Sequence, residues 1–378
     1  MTPDSLESLR DLSTIPDDSP SPEHGRDRPA DRVTHLVTPD AALRDILDDA
    51  SAASAAFGFG YRQLWRTLAD ATDGGKRFRS SLLTTSYRAW GGTDMTASAS
   101  VGAAIELLHT AFVVHDDVID GDDTRRGRLN VSGAHAAQAR ASGVAEHRAR
   151  EYGAAAGILA GDLALAAALR TVACCPVPRA TVLRLLDLFD QALHTSAAGE
   201  LADVWMSLGA DHPALPEILS AEERKTGAYS FTLPLQAGAA LAGASEHAVE
   251  CAGDVGRFLG IAFQLVDDHL GVFGDPSRTG KSVLSDLRTG KQTPLVAHAR
   301  TTSLWPDIKP YVGRADLSEA EAARARALLT TSGSRSFVVG LAADYAERAL
   351  FRSRETGMPP SLVAWIARMT AELGKAVS

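Results

Sequence analysis

Two groups of carboxylates, each at the end of a largely apolar run, have the spacing of a site for a divalent cation. The first group, Asp116, Asp117 and Asp120, follows residues 107–114. On a helix, Asp116 and Asp120 lie one turn apart on the same face, and a cation between them would remove their repulsion. Asp117 lies to the side and is a candidate hydrogen-bond acceptor. Taken alone, the group also fits a solvated helix end, although acidic residues there oppose the helix dipole.

The second group follows another apolar run, residues 255–266, and consists of Asp267 and Asp268 together with Gln264. Gln264 precedes the two carboxylates by three and four residues, so the amide and the acids share a broad helix face. Two apolar helices that each carry acidic residues are hard to explain by solvation. If they face each other across a cavity, they provide oxygen ligands for Mg²⁺, and substrate phosphates complete its coordination.

Short clusters of cations near these acidic groups provide the charge that phosphate groups require. The sequence GGKRFR begins a predicted helix, where free backbone N–H groups and the pair Lys76 and Arg79 suit an anion. The other cations follow or precede the acidic helices: Arg125, Arg126, Lys225, Lys281 and Lys291. Each of them alone is an ordinary surface residue. Their arrangement around two acidic helices indicates a phosphate-binding site.

The elements that must position these residues are predicted to be helices. From Pro39 onward Ala and Leu dominate, and the alternation that is typical of strands is rare. Gly and Pro divide this region into about a dozen helices, among them 95–119, 134–149, 151–173, 216–243 and 246–273. Residues 1–38 are rich in Asp, Ser and Pro and are predicted to be a disordered tail. The prediction is one all-α domain, residues 39–378, preceded by that tail.

Composition excludes several classes of function. The 378 residues carry 38 Lys and Arg against 47 Asp and Glu, a net charge of −9, which argues against a nucleic-acid partner. The three cysteines are too few and too scattered for a disulfide framework or a thiolate metal site. The N-terminus lacks the features of a signal peptide, and the best candidate for a membrane span, 153–175, is interrupted by Asp162 and Arg170. These features predict a cytoplasmic protein without a membrane span.

Taken in order, the motifs resemble those of the trans-isoprenyl diphosphate synthases, the polyprenyl synthetase family. They are GGKRFR, ELLHTAFVVHDDVID followed by GDDTRRG, then KTGAYS, and finally FQLVDDHLGVFGDPSRTGKS, and the likeness runs from about residue 40 to the C-terminus. The resemblance implies an all-α isoprenoid synthase fold around a deep central cavity, usually as a homodimer. It further implies Mg²⁺-dependent head-to-tail condensation of isopentenyl diphosphate with an allylic diphosphate, with three Mg²⁺ ions per active site once substrate is bound.

The resemblance also assigns a role to each motif residue. The residues that would ligate Mg²⁺ are Asp116, Asp120, Asp267 and the supporting Asp268, with Asp117 beside the first pair. Those that would hold the allylic diphosphate are Arg125, Lys225 and Lys281, and Lys291 matches a more peripheral lysine on the phosphate side. Those that would hold the isopentenyl diphosphate are Lys76, Arg79, His109 and Arg126. The oxygens suited to stabilising an allylic cation are those of Thr226 and Gln264.

Product length is expected to depend on the side chains below the first acidic group. A helical turn is about 5.4 Å long, roughly one isoprene unit, so residues one or two turns before Asp116 measure the growing chain. A small residue such as Ala111 resembles synthases that pass the fifteen-carbon stage, whereas Phe112 argues for a limit soon afterwards, and Leu108 lies further back. The predicted product is the twenty-carbon geranylgeranyl diphosphate, with farnesyl diphosphate as the alternative. One departure from the family pattern is Gly271, where many members carry a third Asp.

Three other functions fit the sequence less well. A class I terpene cyclase shares the acidic helix but usually needs an Asn/Ser/Glu metal triad on a later helix, and the one asparagine, Asn130, follows the first group instead. A P-loop hydrolase is excluded because five residues, not four, separate Gly274 from Gly280, and a helix precedes them where a strand is required. A non-catalytic subunit of a partner synthase is expected to have lost metal or phosphate residues, and nearly all are present here.

Overall fold

A computed structural model describes residues 38–209, 212–274 and 285–377. Within these ranges all regular secondary structure is helical apart from one short hairpin of two strands, which confirms the all-α class. Residues 1–37 of the predicted tail lie outside the described residues, as does Lys281. The hairpin consists of β1 (Thr124–Arg125) and β2 (Arg128–Leu129). The helices are α1 (Pro39–Ser54), α2 (Phe59–Thr72), α3 (Phe78–Ala89), α4 (Met95–Asp120), α5 (Val131–Ala141), α6 (Glu146–Ala173), α7 (Arg179–Ser207), α8 (Leu215–Glu222), a π-helical segment (Glu223–Thr232), α9 (Leu233–Leu241), α10 (Glu246–Phe273), α11 (Ser285–Thr289), α12 (Pro294–Arg300), α13 (Trp305–Ile308), α14 (Glu319–Thr331), α15 (Ser334–Glu355) and α16 (Pro360–Ala376), with 3₁₀ turns at Ala55–Phe57 and Lys309–Tyr311.

Two long helices, α4 and α10, form the centre of the fold. α4 is buried on every face from Ile105 to Leu108, and α10 is buried without interruption from Leu259 to His269. A helix that is buried all round depends on neighbouring helices to cover it. α4 packs against α1, α3 and α6, whereas α10 packs against α9, α15 and the π segment. Both acidic groups therefore lie near the ends of helices whose positions are fixed by the core.

Local sequence sets the ends of these two helices. The side chain of Asp94 caps α4 by accepting hydrogen bonds from two backbone N–H groups, and Ser245 caps α10 through one. α4 stops directly after Asp120, at Gly121, which has a left-handed φ of +71°. The last turn of α4 therefore consists of the first acidic group, and the chain then turns into the hairpin that carries Arg125.

The boundary between α5 and α6 shows that one helix prediction is wrong. The predicted helix 134–149 is two elements, because α5 ends at Ala141 and α6 begins at Glu146 and continues without a break to Ala173. The chain turns at Gly143, whose φ is +82°, a conformation that glycine adopts without steric cost. Ala-rich sequence continues the helical pattern on both sides of the turn, so the pattern does not reveal it.

The predicted helix 216–243 is confirmed as a continuous helical segment, but its middle part is a π-helix. α8, the π segment and α9 follow each other directly, and the residues at both junctions keep helical dihedral angles. π-helical turns are rare and occur mostly at functional sites. This one contains the motif KTGAYS, and therefore Lys225 and Thr226.

Glycines allow the π segment to lie directly against α10. A Cβ atom on Gly260 would be 2.8 Å from Cα of Gly227, and one on Gly256 would be 2.6 Å from Cα of Thr232. The distance between packed helices depends on the side chains at their contact, and here backbone meets backbone. This close approach sets how far Lys225 in the π segment lies from the acidic end of α10.

Two described helices, α4 and α6, are long and apolar enough to span a membrane by composition alone. In α4, 78% of the most apolar window is buried within the protein, as expected of a core helix, whereas in α6 only 39% is. α6 exposes Tyr152 and Leu159, and the next helix, α7, exposes Leu201 and Trp205. We refer to these four side chains as the α6–α7 face. Two consecutive helices thus leave large apolar side chains uncovered.

Candidate active site

Asp116, the first carboxylate of the first acidic group, is held by two cations. Its Oδ2 atom lies 3.1 Å from Nη2 of Arg125, and its Oδ1 atom lies 3.2 Å from Nζ of Lys225. Burial raises the pKa of Asp116, whereas positive charges, those of Lys225 and Arg125 among them, lower it, and the net result is a pKa below its usual value. Asp116 is therefore an anion, and the structure brings cations from two separate elements to it.

Asp117 and Asp120 have different surroundings. Asp117 is buried, and its Oδ1 atom accepts a 2.7 Å hydrogen bond from Nε of Arg125. Burial outweighs the Arg125 charge and raises the pKa of Asp117 to about 6. Asp120, one turn beyond Asp116, lies at the exposed end of α4. Asp117 thus orients Arg125, while Asp120 is accessible.

The hairpin makes Arg125 and Arg126 point to different places. β1 and β2 are joined by a two-residue turn, Arg126 and Gly127. Both turn residues have a positive φ, +52° and +70°, which is the geometry of a type I′ turn. Arg125 points back to the first acidic group, whereas Nη1 of Arg126 donates a 3.2 Å hydrogen bond to the carbonyl oxygen of Asp73, just after α2. Arg125 and Arg126, although adjacent in the sequence, therefore contact different parts of the site.

Lys225, in the π segment, is surrounded by three carboxylates. Its Nζ atom lies 2.8 Å from Asp203 and 3.0 Å from Glu200, in addition to Asp116. Burial lowers the pKa of Lys225, but these charges outweigh it and raise the pKa above its usual value. Glu200 and Asp203 were not predicted. In the sequence they are an acidic pair on α7 beside Gly199, which is only a weak indication of a functional site. The fold adds that Gly199 leaves room for the backbone of Lys225.

Asp268, in the second acidic group, is almost completely buried and is also held by a lysine. Its Oδ1 atom lies 2.9 Å from Nζ of Lys291 and accepts a 3.1 Å hydrogen bond from Nε2 of Gln264. Asp267 beside it is also buried. Burial lowers the pKa of Lys291, but nearby carboxylates, above all Asp268, raise it well above its usual value. The ammonium group of Lys291 therefore lies directly on the second acidic group.

Several buried oxygen atoms near Asp268 receive no hydrogen bond from an N–H or hydroxyl group of the described residues. They are Oδ2 of Asp268, Oε1 of Gln264 and both carboxylate oxygens of Glu222. Glu222, the last residue of α8, was not predicted; burial and the Asp268 charge raise its pKa well above the usual value. A buried polar atom without a partner is costly. A shared proton or a bound cation would remove that cost, and oxygen atoms of this kind suit a hard cation.

Four predicted residues from distant parts of the sequence line one cavity of about 150 Å³, between the α2–α3 loop, α4 and the hairpin. They are Lys76, Arg79, His109 and Arg126. We refer to it as the cationic cavity. Its position beside Asp117 and Arg125, which also line it, connects it to the first acidic group.

The π segment holds two of these residues in place. Nε of Arg79 donates a 3.1 Å hydrogen bond to Ser230, the guanidinium lies 5.0 Å from the ring centre of Tyr229, and Nη2 is buried without a partner among the described residues. His109 stacks on the same ring. Burial and the charges of Arg79 and other arginines lower the pKa of His109 well below its usual value, so the imidazole is neutral. The cavity therefore offers an unused N–H donor and a neutral imidazole to an anion.

A second cavity, of about 620 Å³, lies between α4, α6, α7 and the π segment. Most of the side chains that line it are apolar, and Tyr229, which contacts Arg79 and His109, lines it as well. We refer to it as the apolar cavity. Its polar lining residues include Asp116, Lys225 and Thr226. Tyr229 was not predicted, because an aromatic residue on a helix is most often simply part of the core.

The three residues expected to limit product length are not in equivalent places. Phe112 lines the apolar cavity, with its ring centre 4.9 Å from that of Tyr229. Leu108 and Ala111 are buried in the core and are not among the described residues that line the cavity. A change at Phe112 therefore acts on the cavity wall directly, whereas a change at the other two acts through the packing of α4.

The sequence model of the polyprenyl synthetase family matches residues 62–327, more than half of the chain. The chain belongs to the polyprenyl synthetase family. It is 39% identical over 227 residues to the geranylgeranyl diphosphate synthase of Sulfolobus acidocaldarius, covering 60% of this chain and 63%, less than two thirds, of that protein. It is 33% identical over 280 residues to the geranylfarnesyl diphosphate synthase of Aeropyrum pernix, covering 73% of this chain and 82% of that protein. Among solved structures, the geranylgeranyl pyrophosphate synthase from Corynebacterium glutamicum, complexed with isoprenyl diphosphate and magnesium, superposes with a TM-score of 0.80 at 27% identity, covering 89% of this chain and 98% of that one.

The departure of this polyprenyl synthetase at position 271 has a structural counterpart. Oδ2 of Asp286 lies 2.2 Å from the place that a Cβ atom of residue 271 would occupy. Gly271 thus leaves the room that the Asp286 carboxylate fills, and this carboxylate contributes to the raised pKa of Lys291. Asp286, on α11, was not predicted. A carboxylate from a separate helix thus lies directly beside position 271 of α10.

Proposed function

We propose that this polyprenyl synthetase catalyses the Mg²⁺-dependent head-to-tail condensation of isopentenyl diphosphate with an allylic diphosphate. The observation that carries the proposal is that the cationic cavity and the apolar cavity adjoin at the first acidic group: Asp117 lines the former, Asp116 lines the latter, and Val113 lines both. Tyr229 of the apolar cavity also stacks on His109 of the cationic cavity. Isopentenyl diphosphate is small and mainly anionic, whereas the allylic substrate joins a diphosphate to a long apolar chain. The cationic cavity suits the first substrate in charge, and the larger apolar cavity suits the prenyl chain of the second.

The residues of the two acidic groups fit Mg²⁺. Asp116 and Asp120 from α4, and Asp267 with Asp268 from α10, supply the hard oxygen atoms that this ion prefers. Among the described residues, no three acidic, His or Cys side chains enclose a metal by themselves. Substrate phosphates would therefore complete the coordination, as is usual for Mg²⁺. When bound, as three ions together with substrate, Mg²⁺ would neutralise the charge that develops on the diphosphate.

Arg125 and Lys225 would bind the diphosphate of the allylic substrate. Both are cations that now pair with Asp116, and Lys225 also lines the apolar cavity that would receive the prenyl chain. They would stabilise the negative charge that grows on the diphosphate as the carbon–oxygen bond breaks. We propose that Lys281 acts with them and that Lys291 acts further from the reacting atoms.

The allylic cation that forms must be protected from water. Phe112 and Tyr229 provide an apolar wall that excludes it, and we propose that the oxygens of Thr226 and Gln264 stabilise the positive charge. Isopentenyl diphosphate would then attack the cation with its double bond. It would be held by the cationic cavity, and the proton lost in the last step would pass to the departing diphosphate.

We propose geranylgeranyl diphosphate as the product. Phe112 lies one turn before Asp116 on the cavity wall, so a chain that grows past it must turn towards Leu165 and Leu193 on α6 and α7. The volume of about 620 Å³ lies within the range of about 300–1,000 Å³ that is usual for pockets holding whole small molecules. Farnesyl diphosphate is the alternative, because Phe112 shortens the direct path.

We further propose that the chain from residue 39 onward is one domain and that it forms a homodimer in the cytoplasm. The α6–α7 face supports the dimer, since Leu159 is 55% and Trp205 61% exposed and neither lines the apolar cavity. Large apolar side chains that remain uncovered on neighbouring helices mark an association surface. Light scattering on the purified chain measures the state directly.

The purified chain alone provides the test of the proposed function. Isopentenyl diphosphate and Mg²⁺ are supplied with dimethylallyl, geranyl or farnesyl diphosphate, and the products are separated by chromatography after dephosphorylation. We expect geranylgeranyl diphosphate, and no product in EDTA. Activity that appears only when a partner synthase is added would identify a non-catalytic subunit, and a cyclic hydrocarbon would identify a terpene cyclase.

A further inference from the structure

Arg77, between Lys76 and the start of α3, has a backbone conformation that is rare outside glycine. Its φ and ψ are +56° and +33°, in the left-handed region that a residue with a Cβ atom avoids. Among the described residues other than glycine, only Arg126 also has a positive φ, and both arginines line the cationic cavity. Such a conformation persists only where the surroundings hold it in place.

Three other helices hold the Arg77 side chain. Its Nε atom pairs with Asp40 on α1, and its Nη1 atom donates a 2.8 Å hydrogen bond to the carbonyl oxygen of Thr72 at the end of α2. Nη1 also lies 3.8 Å from Oε2 of Glu106 on α4. The other oxygen of Glu106 accepts a 3.0 Å hydrogen bond from the N–H of Ser80 in the first turn of α3. One guanidinium group therefore connects α1, α2 and α4 at the N-terminus of α3.

The place of Arg77 in the chain gives these contacts a consequence for the cationic cavity. Lys76 and Arg79, on either side of it, both line the cavity. The carbonyl oxygen of Arg77 accepts a hydrogen bond from the N–H of Ser81 at 2.9 Å, at the start of α3. When the backbone of Arg77 is fixed, the direction of Lys76 and the first turn that carries Arg79 are fixed with it.

We propose that Arg77 is a positioning residue of the cationic cavity. Although Arg77 also lines the cavity, its role is to hold Lys76 and Arg79 in place for a diphosphate, through its bonds to Asp40 and Glu106 and its backbone conformation. The proposal rests on the proposed function in one respect, since isopentenyl diphosphate is taken as the bound anion. Lys76 and Arg79 then act by charge, and Arg77 acts by geometry.

Four variants separate these two modes of action. Arg77→Asn removes the guanidinium but keeps a residue type that tolerates the left-handed conformation, whereas Arg77→Lys keeps the charge and loses the planar fork. Asp40→Asn weakens one bond from α1, and Asp40 is not among the described residues that line the cavity. Asp48→Asn, the same change at an exposed position of α1, is the matched control.

For Arg77→Asn we expect KM for isopentenyl diphosphate to rise about tenfold, while kcat and KM for the allylic substrate change less than about twofold. We expect Arg77→Lys to remain defective, Asp40→Asn to raise the same KM by about threefold, and Asp48→Asn to match the wild type. Circular dichroism and rates measured well below Tm control for unfolding. Restoration of KM by Arg77→Lys, or a silent Asp40→Asn, would show that Arg77 acts by charge and would overturn the proposal.

Calorimetric titration with inorganic pyrophosphate in EDTA separates this proposal from the proposed function. Without metal, binding reports on the cations of the site and requires no reaction. If the wild type makes no prenyl product but binds pyrophosphate more tightly than Arg77→Asn and Asp40→Asn do, the positioning role stands and the proposed function fails. If these three proteins bind pyrophosphate equally, or none binds it, the positioning role is wrong even in an active enzyme.

Discussion

Replacement of Gly260 by alanine tests how closely α10 must approach the π segment. A Cβ atom at this position would lie 2.8 Å from Cα of Gly227, about 0.6 Å short of ordinary van der Waals contact. Because the obstacle is backbone, it cannot rotate away as a flexible side chain would. The π segment, which carries Lys225 and Thr226 directly before Gly227, must move by about that distance relative to α10.

Two opposing effects set the stability of Gly260→Ala. Overpacking costs about 1–3 kcal/mol, whereas alanine in place of glycine within a helix contributes about 1 kcal/mol of stability. The free energy of unfolding should fall by about 1 kcal/mol, and Tm by about 2 °C. The fold is therefore retained and the main loss is in activity. Since a 1 Å misplacement costs about 100-fold, a displacement of about half that size at Lys225 and Thr226 should lower kcat/KM for the allylic substrate about tenfold.

The matched control is Gly227→Ala, which adds a Cβ atom on the other side of the same contact. There the nearest atom would be Cα of Gly260 at 3.6 Å, an ordinary contact, so we expect activity near that of the wild type. The assay is steady-state kinetics with varied allylic substrate at saturating isopentenyl diphosphate, together with thermal unfolding followed by circular dichroism. Wild-type kcat/KM in Gly260→Ala, or an equal loss of kcat/KM in Gly227→Ala, would refute the reasoning that this contact positions Lys225 and Thr226 relative to α10.

Other predictions address the metal site, the cavity wall and the core. Asp116→Ala and Asp267→Ala should each lower turnover by about a thousandfold or more with unchanged circular dichroism; near-normal kinetics in either would contradict the role of the acidic groups. Phe112→Ala should lengthen the product by about one isoprene unit, and an unchanged chromatogram would mean that Phe112 does not limit the chain. Burial raises the pKa of Cys175 to about 11, so at pH 8 only about one molecule in a thousand carries the thiolate. Iodoacetamide should therefore modify the exposed Cys174 and leave Cys175 unmodified until urea is added; equal labelling by mass spectrometry would place Cys175 outside the core.

The parts of the site that could be predicted from the sequence are those that depend on position within one helix. Asp116 and Asp120 share a face because they are one turn apart, and the apolar run before them indicates that the helix enters the core. Glu222 and Asp286 could not be found in this way. Each is an ordinary acidic residue on its own helix, and each gains its place near the second acidic group only when another element brings it there.

The sequence by itself determined the all-α class, the long helices α4 and α10 and the faces that carry their carboxylates, because helix periodicity is a local property of the chain. Only the tertiary structure decided which distant residues share a cavity: that Lys76, His109 and Arg126 meet beside α4, and that Tyr229, which stacks on His109, lines the neighbouring apolar cavity. The physical reason is that residues from distant parts of the sequence come to line one cavity only when the elements that carry them pack at particular distances. The distance between two packed helices is set by contacts such as Gly227 against Gly260. There the decisive feature is that two residues on different helices both lack a side chain.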